Sequence, residues 1–211
     1  MIPTREEWIS AQAARHGEEL QARFSRATVA ICGLGGLGSN IAISLARAGV
    51  GKLILIDFDR VDLTNLHRQQ YKIQQIGKYK TEAMEENLLE IAPYIQLETV
   101  TQRLTEENCT QWLKNADVIC EAFDDARAKA MLVNHVLEYL PDRYLIAASG
   151  MAGIHSPNTI RTRRITKRFY LCGDEESDIA DGIGLVAPRV MLCAAHQAHT
   201  VLRILAGKFE I

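Results

Sequence analysis

Four glycines within residues 33–38 form the first group in the sequence that could do chemistry. They precede Ser39 and Asn40, and the carboxylate of Asp57 follows nineteen residues after the last of them. Glycines let a phosphate approach the backbone, and the start of the following helix offers unpaired N–H groups. An acid at the spacing of Asp57 is typical of a residue that accepts ribose hydroxyl groups. The glycines are Gly33, Gly35, Gly36 and Gly38.

A second group of polar residues follows Asp57. Asn65 and Arg68 lie in an irregular stretch after the second apolar run, and Lys80 lies where the next helical pattern begins. An amide and two cations this close together suit a ligand whose phosphates change charge during a reaction. Asp59 lies in the same stretch, where it is either a nucleotide-binding group or a turn-forming residue.

Asp124 is the candidate metal ligand. It follows the buried-strand pattern at 117–122, so it is expected at the same edge of a parallel sheet as Asp57. A carboxylate there could hold Mg²⁺ against the phosphates of a nucleotide. Asp124 or its neighbour Asp125 could instead cap the helix that follows.

The glycine cluster and Asp57 also match the fingerprint of NAD(P)-dependent oxidoreductases. Hydride transfer, however, has no special need for the phosphate-directed groups Asn65, Arg68 and Lys80. The residues therefore favour phosphate chemistry, and an NAD(P)-dependent oxidoreductase remains the alternative.

An α/β fold is expected to position these residues. Apolar runs at 27–32, 53–56, 95–100, 117–122 and 144–148 alternate with helical patterns at 80–91, from 105, and at 126–139. After residue 150 the alternation changes, and strands at 158–165 and 168–171 predict an antiparallel addition. The fold class predicted is a Rossmann-like, largely parallel, doubly wound sheet with antiparallel strands in its C-terminal part.

Length and composition favour a single domain over residues 1–211. A chain of 211 residues with 47% apolar residues can bury one substantial core. We divide it into an N-terminal helical segment at 1–26, in which 5–24 reads as one helix, and a nucleotide-binding half at 27–150. Residues 151–211 are expected to hold the antiparallel strands, a loop and a last helix from Pro188.

The charge and the apolar runs give no support to several classes of partner. A net charge of −2 gives no chain-wide case for nucleic acid, and no apolar run approaches the ~20 residues that span a bilayer. The first residues lack the basic and apolar regions of a signal peptide, which predicts a cytoplasmic protein. Five scattered cysteines without a C-x-x-C pair predict reduced thiols.

Four motifs in order resemble the adenylation domain of the ubiquitin-activating-enzyme superfamily. Within it the chain is similar to the ThiF/MoeB adenylyltransferases, and most of all to a short form of the ThiF type. The motifs are Gly33-Leu-Gly-Gly-Leu-Gly-Ser-Asn40, Asp57-Phe-Asp59-x-Val61-x-x-x-Asn65-Leu66-x-Arg68-Gln69, Gly77-x-x-Lys80 and Phe123-Asp124, with Tyr170-Leu-Cys172-Gly-Asp174 further along.

The resemblance implies an activity and a set of partners. The carboxylate of the C-terminal Gly-Gly of a small β-grasp sulfur-carrier protein would attack the α-phosphate of ATP, releasing pyrophosphate, as in thiamin biosynthesis. Mg²⁺, a homodimer and a separate sulfur donor protein are also implied. Gly36 and its neighbours would cradle the nucleotide, Asp57 would bind the ribose, and Asp124 would hold Mg²⁺ or line the carrier's tail. The residues implied to contact the phosphates are Asn65, Arg68 and Lys80.

The chain also departs from the family pattern. Relatives often carry two C-x-x-C pairs for zinc, whereas this chain keeps only Cys172 of the first pair, so no zinc is expected. Residues 178–187 contain no cysteine for a covalent link to the carrier. We expect Cys172 to be a partly exposed thiol, either inert or used in sulfur or acyl transfer. Arg15 is the candidate for the arginine that relatives send across the dimer.

Two further alternatives remain within the superfamily. A tRNA-modifying dehydratase also adenylates its substrate, and it should present a basic face. A non-catalytic member would bind nucleotide only as a partner protein.

Overall fold

One seven-stranded sheet forms the centre of the protein. The computed structural model describes residues 2–211, apart from the side chain of Asp181; Met1, which begins the predicted N-terminal segment, lies outside the described residues. The strands are β1 (Thr28–Cys32), β2 (Lys52–Ile56), β3 (Gln96–Val100), β4 (Val118–Glu121), β5 (Tyr144–Ala148), β6 (Arg161–Arg164) and β7 (Phe169–Gly173). Their order is β3-β2-β1-β4-β5-β7-β6, with β6 antiparallel to β7 and the other pairs parallel. The predicted fold class is therefore confirmed.

Helices cover both faces of this sheet. They are α1 (Arg5–His16), α2 (Glu18–Arg26), α3 (Gly36–Arg47), α4 (Lys80–Ile91), α5 (Cys109–Leu113), α6 (Ala126–Tyr139) and α7 (Ala187–Leu205). On β1, Val29 and Ile31 pack with residues of α3, α4 and α7, whereas Ala30 and Cys32 pack with residues of α5 and α6. Because both faces of β1 are buried, its sequence is a continuous apolar run and does not alternate.

The direction of the strand order reverses at β1, and this positions the candidate site. The chain proceeds from β1 to β2 and β3 on one side, then returns to β4 on the other side. Cys32, the last residue of β1, is in register with Ile56 at the end of β2 and Glu121 at the end of β4. The residues after all three strands therefore meet at one edge of the sheet, where open α/β sheets form a ligand-binding crevice.

Two predicted helix boundaries are wrong. The helix expected over 5–24 is divided at Gly17, whose φ of 92° is a left-handed conformation that glycine adopts without strain. The helix expected to start at Thr105 begins at Cys109 instead. Residues 105–108 form a turn in which the Asn108 side chain accepts a hydrogen bond from the Thr105 backbone N–H at 2.9 Å, an alternative to helix that asparagine often provides.

Within the described residues, every helix is too short or too polar to cross a bilayer.

Candidate functional site

The glycine cluster makes the turn that joins β1 to α3. Gly33 has a φ of 95°, and a Cβ on it would lie 2.7 Å from the Ala122 carbonyl oxygen in the segment after β4. A Cβ on Gly38 would lie 1.8 Å from the Gly33 carbonyl oxygen, so the first turn of α3 folds directly onto the start of the glycine turn, residues 33–38. The first N–H groups of a helix have no partner within it, so the start of α3 at Gly36 supplies the donors that an anion-binding turn requires.

Asp57 ties the glycine turn to the end of β2. One carboxylate oxygen accepts the Leu34 backbone N–H at 2.6 Å, and the other accepts the Asp59 N–H at 2.8 Å. Only 7% of Asp57 is exposed. Burial raises the pKa of this carboxyl group, while the nearby Lys80 ammonium and the two N–H groups act in the opposite direction. Asp57 thus lies beside the glycine turn, where its remaining lone pairs can accept hydroxyl groups.

Lys80 lies next to the carboxylates of Asp57 and Asp59. Its ammonium nitrogen lies 2.8 Å from Asp59 Oδ2 and 3.8 Å from Asp57 Oδ2, and the side chain is nearly buried at the start of α4. Its backbone N–H also donates to the Asp59 carbonyl oxygen at 2.9 Å. Lys80 is therefore neutralised by two acids, whereas the sequence grouped it with Asn65 and Arg68.

Asn65 and Arg68 form the second side of the site. Arg68 Nη2 donates to Asn65 Oδ1 at 3.1 Å, which holds the guanidinium group against the short 3-10 turn Leu63–Asn65. A Cβ on Gly36 would lie 3.4 Å from Arg68 Cγ, so the arginine lies directly over the glycine turn. Its Nε is buried and has no hydrogen-bond partner among the described residues. The geometry therefore brings Asn65, Arg68 and Gly36 together, as expected.

Gln69 is a further residue at the candidate site, and its residue type alone did not indicate a role there. Its amide nitrogen lies 3.8 Å from the position of a Cβ on Gly35, so the side chain covers the middle of the glycine turn. Gln69 is buried, and its carbonyl oxygen has no partner among the described residues. Buried amides are normally hydrogen-bonded, so this oxygen is a candidate acceptor for a bound ligand or water. The sequence signal that could have identified Gln69 is its position directly after Arg68 in the motif that begins at Asp57.

Asp124 lies in the segment between β4 and α6, and its side chain is exposed. The helix cap is provided by Asp125, whose carboxylate accepts the Ala128 N–H at 2.8 Å, so Asp124 is not needed for capping. No cluster of three His, Cys, Asp or Glu side chains able to hold a metal occurs in residues 2–211 as described. Asp124 offers one exposed carboxylate, and Mg²⁺ often takes only one or two protein carboxylates, with phosphates and water as its other ligands.

A buried ion pair lies at the start of α7, where the neighbouring Val190 packs against Gly36 of the glycine turn. Arg189, near the start of α7, pairs with Asp174 after β7 and also donates to the carbonyl oxygens of His155 and Ser156 at 3.0 and 2.9 Å. Burial alone would raise the pKa of Asp174, but hydrogen bonds from Ser177, from the backbone at 176 and from Arg189 lower it to about 2. This pair connects the segments that follow β5 and β7.

Cys172 is not the partly exposed thiol that was expected. It is fully buried, with 0% exposure, next to Thr162 on β6. Burial raises the pKa of its thiol to about 11, so little thiolate is present at neutral pH. In this conformation a carrier protein cannot reach its sulfur, which argues against a transfer role.

Comparison with known proteins identifies the family. The model of the ThiF family matches residues 9–211 of the chain. The chain belongs to the ThiF family. The predicted resemblance to the ThiF/MoeB superfamily is confirmed.

Relatives of this ThiF-family chain have several recorded activities. It is 32% identical over 155 residues to a molybdopterin-synthase adenylyltransferase of Haemophilus influenzae, covering 71% of this chain and 64% of that protein. It is 32% identical over 148 residues to a tRNA threonylcarbamoyladenosine dehydratase of the same organism, covering 69% and 56%. A sulfur carrier protein adenylyltransferase of Thermus thermophilus is 36% identical over 110 residues, covering 52% and 41%. The aligned region spans less than two thirds of each relative.

Solved structures share the fold. The tRNA N6-threonylcarbamoyladenosine dehydratase of Escherichia coli, in complex with ATP, superposes with a TM-score of 0.86 over 99% of this chain and 98% of that chain, at 22% identity. MccB of E. coli superposes with a TM-score of 0.72 over 94% of this chain and 65% of that chain, at 23% identity. At these identities the likeness establishes the ThiF-family fold and does not by itself assign a substrate.

Proposed function

We propose that this ThiF-family chain adenylates the C-terminal Gly-Gly carboxylate of a small β-grasp sulfur-carrier protein, with ATP as the second substrate and pyrophosphate as the product. The observation that carries the proposal is the arrangement around the glycine turn. Asp57, which lies close to Lys80, accepts the Leu34 N–H of this turn, and Arg68, which is held by Asn65, packs against Gly36. The names of the adenylyltransferase relatives support the same reaction class.

The reaction needs positioning and charge neutralisation and requires no protein nucleophile. A carboxylate oxygen of the carrier forms a bond to the α-phosphorus, the bond from that phosphorus to the bridging oxygen breaks, and pyrophosphate leaves with the electron pair. Asp57 would orient the ribose, the glycine turn would bind phosphate oxygens, and Arg68 would stabilise the charge on them. Lys80 would exchange part of its pairing with Asp59 for a phosphate oxygen.

Asp124 is the residue proposed to hold Mg²⁺. Its exposed carboxylate, free of a helix-capping bond, can provide one oxygen ligand while the triphosphate provides others. Magnesium bound there would withdraw negative charge from the phosphates. No zinc site is proposed.

The partners follow from the reaction. The carrier would enter at the carboxyl edge of the sheet near β4 and β5, and a separate protein would supply sulfur afterwards. We also propose a homodimer that acts in the cytoplasm, in thiamin biosynthesis.

ATP–pyrophosphate exchange with a panel of Gly-Gly-terminated carriers tests the proposal. We expect exchange with at least one carrier and a loss of about 10²–10³-fold for Arg68→Ala, the scale of one preorganised donor. Arg47→Ala is the matched control, because Arg47 lies in the last turn of α3, away from the glycine turn. Folded protein that exchanges with none of the carriers, or Arg68→Ala with wild-type activity, would contradict the proposal.

Modification of tRNA is the second candidate function, and one observation favours it. Residues 161–168 contain five Lys or Arg and no acid, although the whole chain has a net charge of −2. This stretch includes β6, the edge strand of the sheet, where cations could contact a phosphate backbone. Arg161 and Lys167 form no ion pair among the described residues, whereas three others pair with acids. Those acids are Glu175, Glu210 and Asp142.

Binding of tRNA at several salt concentrations separates the two candidates. If the chain modifies tRNA, Arg161→Ser with Lys167→Ser should weaken binding and reduce the slope of log affinity against log salt by about 2. A carrier adenylyltransferase should show no dependence of pyrophosphate exchange on tRNA.

A further inference from the structure

An ion pair between a buried carboxylate and a partly exposed lysine lies next to the Asp124 segment. Glu121, the last residue of β4, is 0% exposed, and its two carboxylate oxygens accept the Lys129 ammonium group at 2.9 and 2.7 Å. Lys129 projects from the second turn of α6 and also donates to the Ala148 carbonyl oxygen, at the end of β5, at 3.1 Å. All three ammonium protons therefore have partners, and the ends of β4 and β5 are joined through α6.

The same carboxylate controls the backbone that carries Asp124. Glu121 Oε1 accepts the Phe123 N–H at 2.8 Å, which fixes the chain one residue before Asp124. A Cβ on Gly33 would lie 3.1 Å from Phe123 Cδ1, so this segment packs on the first residue of the glycine turn. On the opposite side, the Gln197 amide nitrogen donates to the Glu121 carbonyl oxygen at 3.0 Å.

Stability alone gives a weak reason for a charged pair at this position. Burial raises the pKa of Glu121, which means that the ionised form is penalised, and the Lys129 ammonium only offsets this. Buried ion pairs can often be replaced by apolar side chains without loss of stability. What an apolar pair cannot reproduce is the set of directed hydrogen bonds to Phe123 and Ala148.

We propose that Glu121 and Lys129 are positioning residues, which hold Asp124 at the distance from the glycine turn that the reaction requires. This inference rests on the proposed function, because it is that function which gives Asp124 its part in the reaction. Neither residue touches the substrates; both act through the backbone of the Phe123–Asp124 segment. Nothing in the residue types of Glu121 or Lys129 alone would have predicted this, since the two are eight positions apart and lie on different elements.

A double-mutant cycle with Asp124 tests the proposal. Glu121→Asp retains the charge but shortens the side chain, so it cannot bridge Phe123 and Lys129 as Glu121 does. We expect the kcat of pyrophosphate exchange to fall ~10-fold or more, the scale of a misplaced catalytic group, with ATP affinity changed less than ~3-fold. In an Asp124→Ala background the same substitution should cost less than ~2-fold, because the group that it positions is already absent. Independent, multiplicative losses would overturn the proposal.

Two further variants test the charges of the ion pair and provide a control. Glu121→Met with Lys129→Met removes both charges, and if it folds it should lose kcat and show the same non-additivity with Asp124→Ala. If it does not fold, Glu121→Asp decides. Glu98→Asp is the matched control, because it shortens the acid of the ion pair with Lys52 at 2.6 Å on the outer strand β3, away from the site. Glu98→Asp should leave the kcat of pyrophosphate exchange unchanged.

A structural readout separates this inference from the proposed function. Hydrogen exchange of residues 122–126 can be measured whether or not the protein is active, and Glu121→Asp should speed it ~10-fold or more as the Phe123 N–H loses its acceptor. If the wild-type protein shows no pyrophosphate exchange, the proposed function fails and this measurement still decides whether Glu121 orders the segment. Unchanged hydrogen exchange in Glu121→Asp would overturn the inference.

Discussion

The ammonium group of Lys80 is hydrogen-bonded to the carboxylate of Asp59 at 2.8 Å, so its charge is compensated within the protein. The buried carboxylate of Asp57 lies 3.8 Å from the same nitrogen. Lys80 compensates the charge of Asp57, and in the proposed reaction it would also become available to a phosphate. A cation with both tasks should affect stability and catalysis together.

Replacement of Lys80 by Met should lower the free energy of unfolding by about 1–3 kcal/mol at pH 7, because it leaves Asp57 buried without a cation. The raised pKa of Asp57 means that its ionisation opposes folding, so this deficit should grow as the pH rises through that pKa. Urea denaturation between pH 4 and 8 measures it. Lys78→Met, which breaks only the exposed pair with Glu86, should cost less than ~1 kcal/mol. Equal losses for the two variants would contradict the role of Lys80.

Replacement of Gln69 by Leu should weaken ATP binding without weakening the fold. The carbonyl oxygen of Gln69 is buried without a partner among the described residues, so removing it relieves a cost of ~1–3 kcal/mol and leaves stability equal or higher. If that oxygen accepts a hydrogen bond from the bound nucleotide or its water, affinity should fall ~5–10-fold. Calorimetric titration with ATP and thermal unfolding check the two parts. Unchanged affinity would remove Gln69 from the site.

Replacement of Gly38 by Ala should abolish the folded glycine turn. A Cβ there would lie 1.8 Å from the Gly33 carbonyl oxygen, a contact that the backbone can avoid only by moving. We expect a loss of more than ~3 kcal/mol in the free energy of unfolding, the range of severe steric conflicts. Gly184→Ala is the control, because a Cβ at that position meets nothing within 4 Å and it should be tolerated. Circular dichroism during thermal unfolding distinguishes the two.

The ion pair of Asp174 with Arg189 predicts a particular loss of stability in acid. The folded-state pKa of Asp174 is lowered to about 2, so its stabilising contribution is complete above the ordinary aspartate pKa and is lost as the pH falls towards 2. The wild-type protein should therefore exceed Asp174→Asn by about 2 kcal/mol at neutral pH, and the gap should narrow between pH 4 and pH 2. Chemical denaturation across this range provides the test. A gap independent of pH would show that the charge of Asp174 is not its source.

The cysteines should be unreactive in the native protein. All five are buried free thiols, and burial raises the pKa of Cys172 to about 11. A thiol reagent should therefore label the folded chain slowly and the unfolded chain at five positions. Cys172→Ser should leave pyrophosphate exchange within ~2-fold of the wild type, since the proposed reaction uses no thiol. Rapid labelling of Cys172 in folded protein would reopen a sulfur-transfer role.

Local sequence patterns were sufficient for most of the fold. The buried strands are continuous apolar runs because helices cover both faces, and this signal located β1, β2, β4 and β5 closely. Patterns failed where a single residue decides the backbone, as at Gly17, or where a side chain offers the backbone an alternative to helix, as at Asn108.

The sequence by itself determined the glycine turn, Asp57 and the motif of Asn65 and Arg68, because these depend on residue types at short, fixed spacings. The tertiary structure decided which charges meet. Lys80 forms an ion pair with Asp59, and Glu121 forms one with Lys129. Cys172, on β7, is fully buried. Short-range periodicity predicts none of these three facts. The physical reason is that ion pairing and burial depend on how strands and helices from distant parts of the chain pack together. Spacing along the chain sets only the face of its own helix or strand on which each side chain lies.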